Sequence, residues 1–213
     1  MAVVVQANTT SDSEQVYVFK GTQYILIEIV SHTDSLVYGP KTIVDDWVSL
    51  RHVGFTTIDS ILPHPTNINR TYVFSRQHYV LIEFPSYPGA GDDVLVYGPE
   101  ETVFDWPITQ ESPAGTYDVT LLSPASPTNG FYGAYFFRGT EYTSFVFAPN
   151  ADDQGITYSE AHTGADIDTD WTSLDQAGFA SIDMVIPIPV SPANNSWVIS
   201  GPQYGAIQFA PGG

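Results

Sequence analysis

The sequence predicts an all-β fold, a four-bladed β-propeller written as one repeated unit. Three observations predict it. The hairpin-like stretch EQVYVFKGTQYILIEI (14–29) returns three more times along the 213 residues. The turn inside each copy carries the same residue types at the same place. The period is roughly 50–60 residues with up to four strand-like runs, which describes a propeller blade rather than a helical repeat.

The later copies are NRTYVFSRQHYVLIEF (69–84), YGAYFFRGTEYTSFVF (132–147) and SWVISGPQYGAIQF (196–209). Tyr17, Tyr72, Tyr135 and Trp197 precede the turns, and Tyr24, Tyr79, Tyr142 and Tyr204 follow them, always seven residues on. The turns read KGTQ, SRQH, RGTE and SGPQ. Gly in three of them supplies positive φ without a steric penalty. Each hairpin is expected to be the middle pair of strands of its blade.

The first strand of a blade is expected after Ile-Asp or Tyr-Asp. RHVGFTTIDSILP (51–63) and DQAGFASIDMVIP (175–187) are near copies, and AGTYDVTLLSP (114–124) is a looser one. An outer strand is expected near Tyr38-Gly39-Pro40 and Tyr97-Gly98-Pro99. Short helices are expected around Trp47, Trp106 and Trp171, with acidic residues at their starts, where the helix dipole favours them. The recurring Trp residues are expected to pack between blades. The approximate blades are 1–52, 53–112, 113–176 and 177–213. The fourth stops at IQFAPGG, with no outer strand or Trp helix in the pattern. Its strand 203–209 is therefore expected at an edge, open to strand addition and to a homodimer through blade four.

Composition agrees with many short strands: 43% hydrophobic residues, 17 Gly and 16 Pro spread along the chain. The formal charge of −18 argues against nucleic acid and favours cationic partners such as metal ions or polyamines. Cysteine is absent, so disulfides and thiolate metal sites are excluded. No apolar run reaches the roughly 18 residues of a membrane span. MAVVVQANTT lacks the features of a signal peptide, so an intracellular, cytoplasmic protein is expected. The Asn-x-Ser/Thr sites at Asn8, Asn69 and Asn194 then read as chance matches.

Four blades with an Asp-led inner strand, a Tyr/Phe hairpin and Gly-Pro before a Trp helix resemble the hemopexin-like repeat. VYVFKGTQYILIE followed by LVYGPKTIVDDW is most similar to the single-domain hemopexin-like proteins, the plant PA2-type albumins and fungal ostreopexin. The resemblance implies one domain over 1–213. It also implies a central tunnel in which main-chain carbonyls at the inner-strand Asp, and two residues later, hold ions. Carried over, these positions are Asp59, Asp118 and Asp183, then Ile61, Thr120 and Val185. In blade one the count back from Tyr17 lands on Val3 or Val4, which gives Val3 and Val5 as ligand positions. Hard oxygens suit Ca²⁺ or Mg²⁺. The alternative is a lectin or small-ligand-binding protein whose tunnel ion is only structural, and the plant relatives imply polyamine capture and a storage role.

Against these stand plainer roles. An Asp at a strand start often bonds nearby amides. The pairs Asp45-Asp46, Asp92-Asp93, Glu100-Glu101 and Asp152-Asp153 are expected to serve solvation and capping. His32, His52, His64, His78 and His162 lack the spacing of a zinc helix, and haem is not expected. No catalytic motif stands out, so a non-enzymatic binding protein is expected.

Overall fold

A computed structural model describes residues 2–5, 13–30, 33–84, 92–106, 117–123, 128–187 and 195–208. Asn8 and Asn194, the tail 209–213 and the side chains of Val3 and Val5 lie outside what is described.

Blade one runs β1 (Ala2–Val5), β2 (Ser13–Lys20), β3 (Gln23–Val30) and β4 (Thr33–Thr42), then the short helices α1 (Ile43–Asp46) and α2 (Val48–His52). Blade two runs β5 (Ser60–Pro63), β6 (Arg70–Ser75), β7 (His78–Glu83) and β8 (Val94–Glu101), then α3 (Thr102–Asp105). Blade three runs β9 (Val119–Leu122), β10 (Tyr132–Arg138), β11 (Glu141–Pro149) and β12 (Ile156–Asp166), then α4 (Ile167–Asp170) and α5 (Thr172–Gln176). Blade four holds β13 (Met184–Pro187), β14 (Asn195–Ser200) and β15 (Gln203–Gln208). Each sheet is an antiparallel meander in chain order, among the described residues four-stranded in the first three blades and three-stranded in the fourth. The first strands close a ring: β1 neighbours β5 and β13, and β9 neighbours the same two. This is a four-bladed β-propeller.

The hairpins explain the repeat. Tyr17, Tyr72, Tyr135 and Trp197 fall at equivalent places in the four second strands, opposite Leu26, Leu81, Ser144 and Ala206. Gly21, Gly139 and Gly201 take φ between +55° and +59° in the turns, and Arg76 takes +55° in the copy that lacks Gly. The helices end by the same chemistry. Gly54 and Gly178 adopt positive φ after α2 and α5, and Phe55 and Phe179 then donate back to the carbonyls of Leu50 and Leu174 at 2.8 Å.

Blades join through aromatic clusters. Trp47 lies against Tyr17, Phe19 and Tyr24 of blade one and Phe84 of blade two. Trp106 bridges Tyr72 and Tyr79 to Phe136 and Phe147 of blade three. Trp171 stands edge-on to Tyr135, Phe137 and Tyr142, in a cluster that includes Val185 and Val198 of blade four. Burial of such rings removes large apolar area from water, the main force holding one blade to the next.

Candidate functional site: the ring of inner strands

Asp59, Asp118 and Asp183 sit at the starts of three inner strands, and their side chains do one repeated job. Each carboxylate accepts a backbone N–H from the hairpin turn of its own blade: Arg76 at 2.5 Å, Gly139 at 2.8 Å and Gly201 at 2.6 Å. Those donors are the positive-φ residues of the turns. The backbone N–H groups of Asp59, Asp118 and Asp183 also donate to the second strand, at the carbonyls of Phe74, Phe137 and Ile199. The three carboxylates are clasps on separate turns and do not converge. Among the described residues no three His, Asp or Glu side chains come together as metal ligands.

The backbone of the inner strands is another matter. His64 donates its N–H to Arg70 O at 3.0 Å, and Ser123 donates to Gly133 O at 2.8 Å. Antiparallel ladders alternate bonded with non-bonded residues. Counting back through the register, Leu62 and Ser60, and Leu121 and Val119, bond the second strand. Ile61 and Thr120 fall between them, so their N–H and C=O groups turn away from the second strand, toward the ring interior. Val185 and Val3 occupy the same register, opposite Val198 and Val18.

Blade one needs a correction of register. Ala2 pairs with Phe19 as Ser60 pairs with Phe74. Val3 is thus the counterpart of Ile61 rather than of Asp59. Val5 lies level with Pro63, one step outside the expected pair. The count back from Tyr17 failed because the link between first and second strands varies in length. Two hydroxyl oxygens near the ring, Ser60 Oγ and Thr120 Oγ1, are buried without a hydrogen-bond partner.

A second polar cluster was not anticipated. His64 is buried, stacked on Tyr72, and accepts Asn67 N–H on Nδ1 at 3.1 Å. That leaves Nε2 as the protonated nitrogen, 3.3 Å from Asp153 of blade three. Arg70 also bonds Asp153, and pairs with Glu83 at 2.7 Å. Burial holds the His64 pKa below the ordinary imidazole value, against the opposing pull of Asp153. His64 and Arg70 thereby tie blade two to blade three.

Acidic side chains in the helices and of the pair Asp92-Asp93 do more than solvate. Asp46, Asp105 and Asp170 each accept a tyrosine hydroxyl, from Tyr24 at 2.8 Å, from Tyr79, and from Tyr142 at 3.0 Å. Asp93 is buried and accepts Ser49 N–H at 3.0 Å, tying α2 to blade two. None of the helices they adjoin has a side-chain cap bond, while Asp45 and Asp46, Asp105, and Asp168 and Asp170 lie in their first turns, as the helix dipole favours. A cleft of about 230 Å³ beside the blade-two turn is lined by Gly54, Thr56, Ser75, Arg76 and His78.

Comparison with known proteins agrees with the fold. No family profile matches the chain. Albumin-2 of Pisum sativum is 22% identical over 144 residues, 67% of this chain and 60% of the pea protein, and Albumin-2 of Lathyrus sativus matches equally. The chain thus matches less than two thirds of the length of these curated relatives. Among solved structures, a plant lectin with two metal binding sites from Cicer arietinum is 20% identical with a TM-score of 0.73, over 100% of this chain and 87% of its own. A Cicer arietinum albumin showing hemagglutination is 21% identical with a TM-score of 0.75, over the same shares. The hemopexin fold protein CP4 from cow pea is 22% identical with a TM-score of 0.74, again over 100% and 87%.

Proposed function

We propose that this chain, a hemopexin-fold propeller similar to the legume albumins, is a non-enzymatic binding protein that takes a hard cation in its central tunnel. The observation that carries the reading is the hydrogen-bond alternation of β5 and β9. It turns the carbonyls of Ile61 and Thr120 inward, with Val185 and Val3 in register. Four backbone oxygens and water form a hard-oxygen set suited to Ca²⁺ or Mg²⁺. The unpaired Thr120 hydroxyl on the same strand adds another hard oxygen. Asp59, Asp118 and Asp183 act as turn clasps whose charge favours a cation nearby.

The test is a pair of melting curves, one in excess chelator and one in millimolar Ca²⁺ or Mg²⁺. Binding to the native state alone stabilises by about 2.7 kcal/mol at a ligand concentration of 100 Kd. Asp59→Ala lowers stability by loosening its turn, yet keeps the ion-dependent shift. Identical melting in chelator and ion overturns the reading. So does a shift abolished by Asp59→Ala, which would make the side chain the ligand.

A second reading is glycan binding with the tunnel ion purely structural. The hemagglutinating and lectin relatives support it. A glycan array read with and without chelator separates the two readings. Calorimetry with spermine tests polyamine capture by the charge of −18.

A further inference from the structure

We propose that the outer side of blade four is a recognition socket for a polypeptide segment that leaves a β-strand through an Asp-Trp pair. The first three blades define the socket, because each fills it with its own chain. In blades one, two and three an indole stands edge-on to the tyrosine before the turn, at 5.2, 5.0 and 5.1 Å. It stands edge-on to the tyrosine after the turn at 5.6, 5.6 and 5.8 Å. Two polar handles accompany the indole. The residue before Trp is Asp46, Asp105 or Asp170, and it accepts the hydroxyl of the second tyrosine. The helix opens at Ile43, Thr102 or Ile167, whose N–H donates to the turn carbonyl of Thr22, Gln77 or Thr140 at 2.9, 2.8 and 2.9 Å.

Blade four reproduces the receiving half. Trp197 and Tyr204 lie 5.8 Å apart, against 5.9, 6.3 and 6.2 Å for the matching pairs of the other blades. Pro202 stands where Thr22, Gln77 and Thr140 stand, with a carbonyl to offer. The donating half is not among the described residues. Trp197 is 39% exposed and Tyr204 72%, whereas Tyr72 and Tyr79 are both at 0%. Beside them β15 is the outermost strand of its sheet among the described residues.

The occupant follows from the three filled copies. Its main chain pairs with β15 as β4, β8 and β12 pair with their neighbours. It carries Asp-Trp a short turn later. The indole fills the space beside Trp197 and Tyr204, and the Asp accepts the Tyr204 hydroxyl. The segment is acidic and the protein carries −18, so association tightens as salt rises. This is opposite to binding between unlike charges.

The experiment uses fluorescence anisotropy with a labelled synthetic peptide copying Thr33–Val48, TDSLVYGPKTIVDDWV. The 213-residue protein is titrated into it at low and high salt. The expected result is saturable one-to-one binding, tighter at high salt. At least a tenfold loss is expected when the peptide carries Ala in place of Trp47. The same loss is expected with Tyr204→Ala protein, whose melting temperature stays unchanged because the ring is exposed. Tyr158→Ala, an exposed aromatic on blade three, leaves binding intact. Absence of saturation, or binding indifferent to Tyr204→Ala, overturns the proposal. Light scattering that finds a dimer abolished by Tyr204→Ala assigns the edge to a second copy instead. A glycan lost on the same substitution assigns it to a sugar.

Discussion

Blades two and four carry the same hairpin, with aromatics at the same two places and the same Asp clasp on the turn. In blade two those aromatics are fully buried under Trp106, and in blade four they face solvent. The local sequence therefore sets the hairpin, while burial is set by what is laid over it. An aromatic in this repeat marks a position in the unit before it marks a position in the core. The difference also locates stability. Three blade junctions hold an indole between two sheets, and the described part of the blade-four pair has none.

The largest expected effect tests this directly. Trp106→Ala removes a side chain 1% exposed from the centre of a seven-ring contact set and should cost about 3–5 kcal/mol. Trp197→Ala should cost less than ~1 kcal/mol. Urea unfolding of both variants reads the two values on one scale. Equal costs would mean that the blade-four aromatics are covered as the others are, and would break the comparison.

Backbone approach gives the next contrast. A Cβ at Gly98 would lie 2.8 Å from the carbonyl oxygen of Tyr79, at φ +92°. Gly98→Ala should therefore cost about 1–3 kcal/mol. A Cβ at Gly205 meets nothing nearer than 3.8 Å, on the Phe179 ring. Gly205→Ala should stay within about 0.5 kcal/mol, as surface substitutions usually do. Thermal melting of the pair is sufficient. A large loss at Gly205 would show the edge of blade four to be as closely covered as that of blade two.

The polar tie between blades two and three predicts a pH dependence. Burial holds His64 below its ordinary pKa, facing Asp153 and close to Arg70. The unfolded chain then binds the proton more readily than the folded one. Stability from this group is complete above the ordinary histidine value of about 6.5 and is lost as pH falls below it. His64→Gln should flatten unfolding free energy between pH 7.5 and 5.5. An unchanged slope would remove His64 from the account of acid sensitivity.

The fold was legible because its signals are local and repeated. Seven residues between paired aromatics and a turn glycine fix a hairpin, and copies in phase fix a blade. The inner-strand register of blade one was not legible. Thirteen residues separate Asp59 from Tyr72 and seventeen separate Asp118 from Tyr135, so no fixed count transfers. The aspartates were visible as positions, but their bonds to the turns depend on a strand pairing that the sequence does not write. The tie of His64 and Arg70 to Asp153 was invisible, since its partners are more than eighty residues apart and belong to no shared motif. The exposure of Trp197 and Tyr204 acquires its meaning only beside the three filled sockets.

The smallest expected effect is the sharpest test of the handles. Tyr142 is buried, and its hydroxyl donates to Asp170 at 3.0 Å. Tyr142→Phe keeps the ring, so the edge contact with Trp171 survives, while the hydroxyl's bonds to Asp170 and to the Trp171 side chain are lost. A bond to a charged acceptor contributes about 1.5–3 kcal/mol when well shielded, and nearer 1 kcal/mol where water reaches the carboxylate. Asp170 is exposed, so the lower figure applies. Tyr204→Phe deletes the same atom from the matching position in blade four. There the hydroxyl faces water, and exchanging one water contact for none should leave stability unchanged within error. Adding the Thr33–Val48 peptide should then restore the difference: Tyr204→Phe should bind it more weakly than the unsubstituted protein by the factor that one hydrogen bond supplies. Equal peptide affinity in the two proteins would leave the indole as the only recognised group and strike Asp46 from the motif.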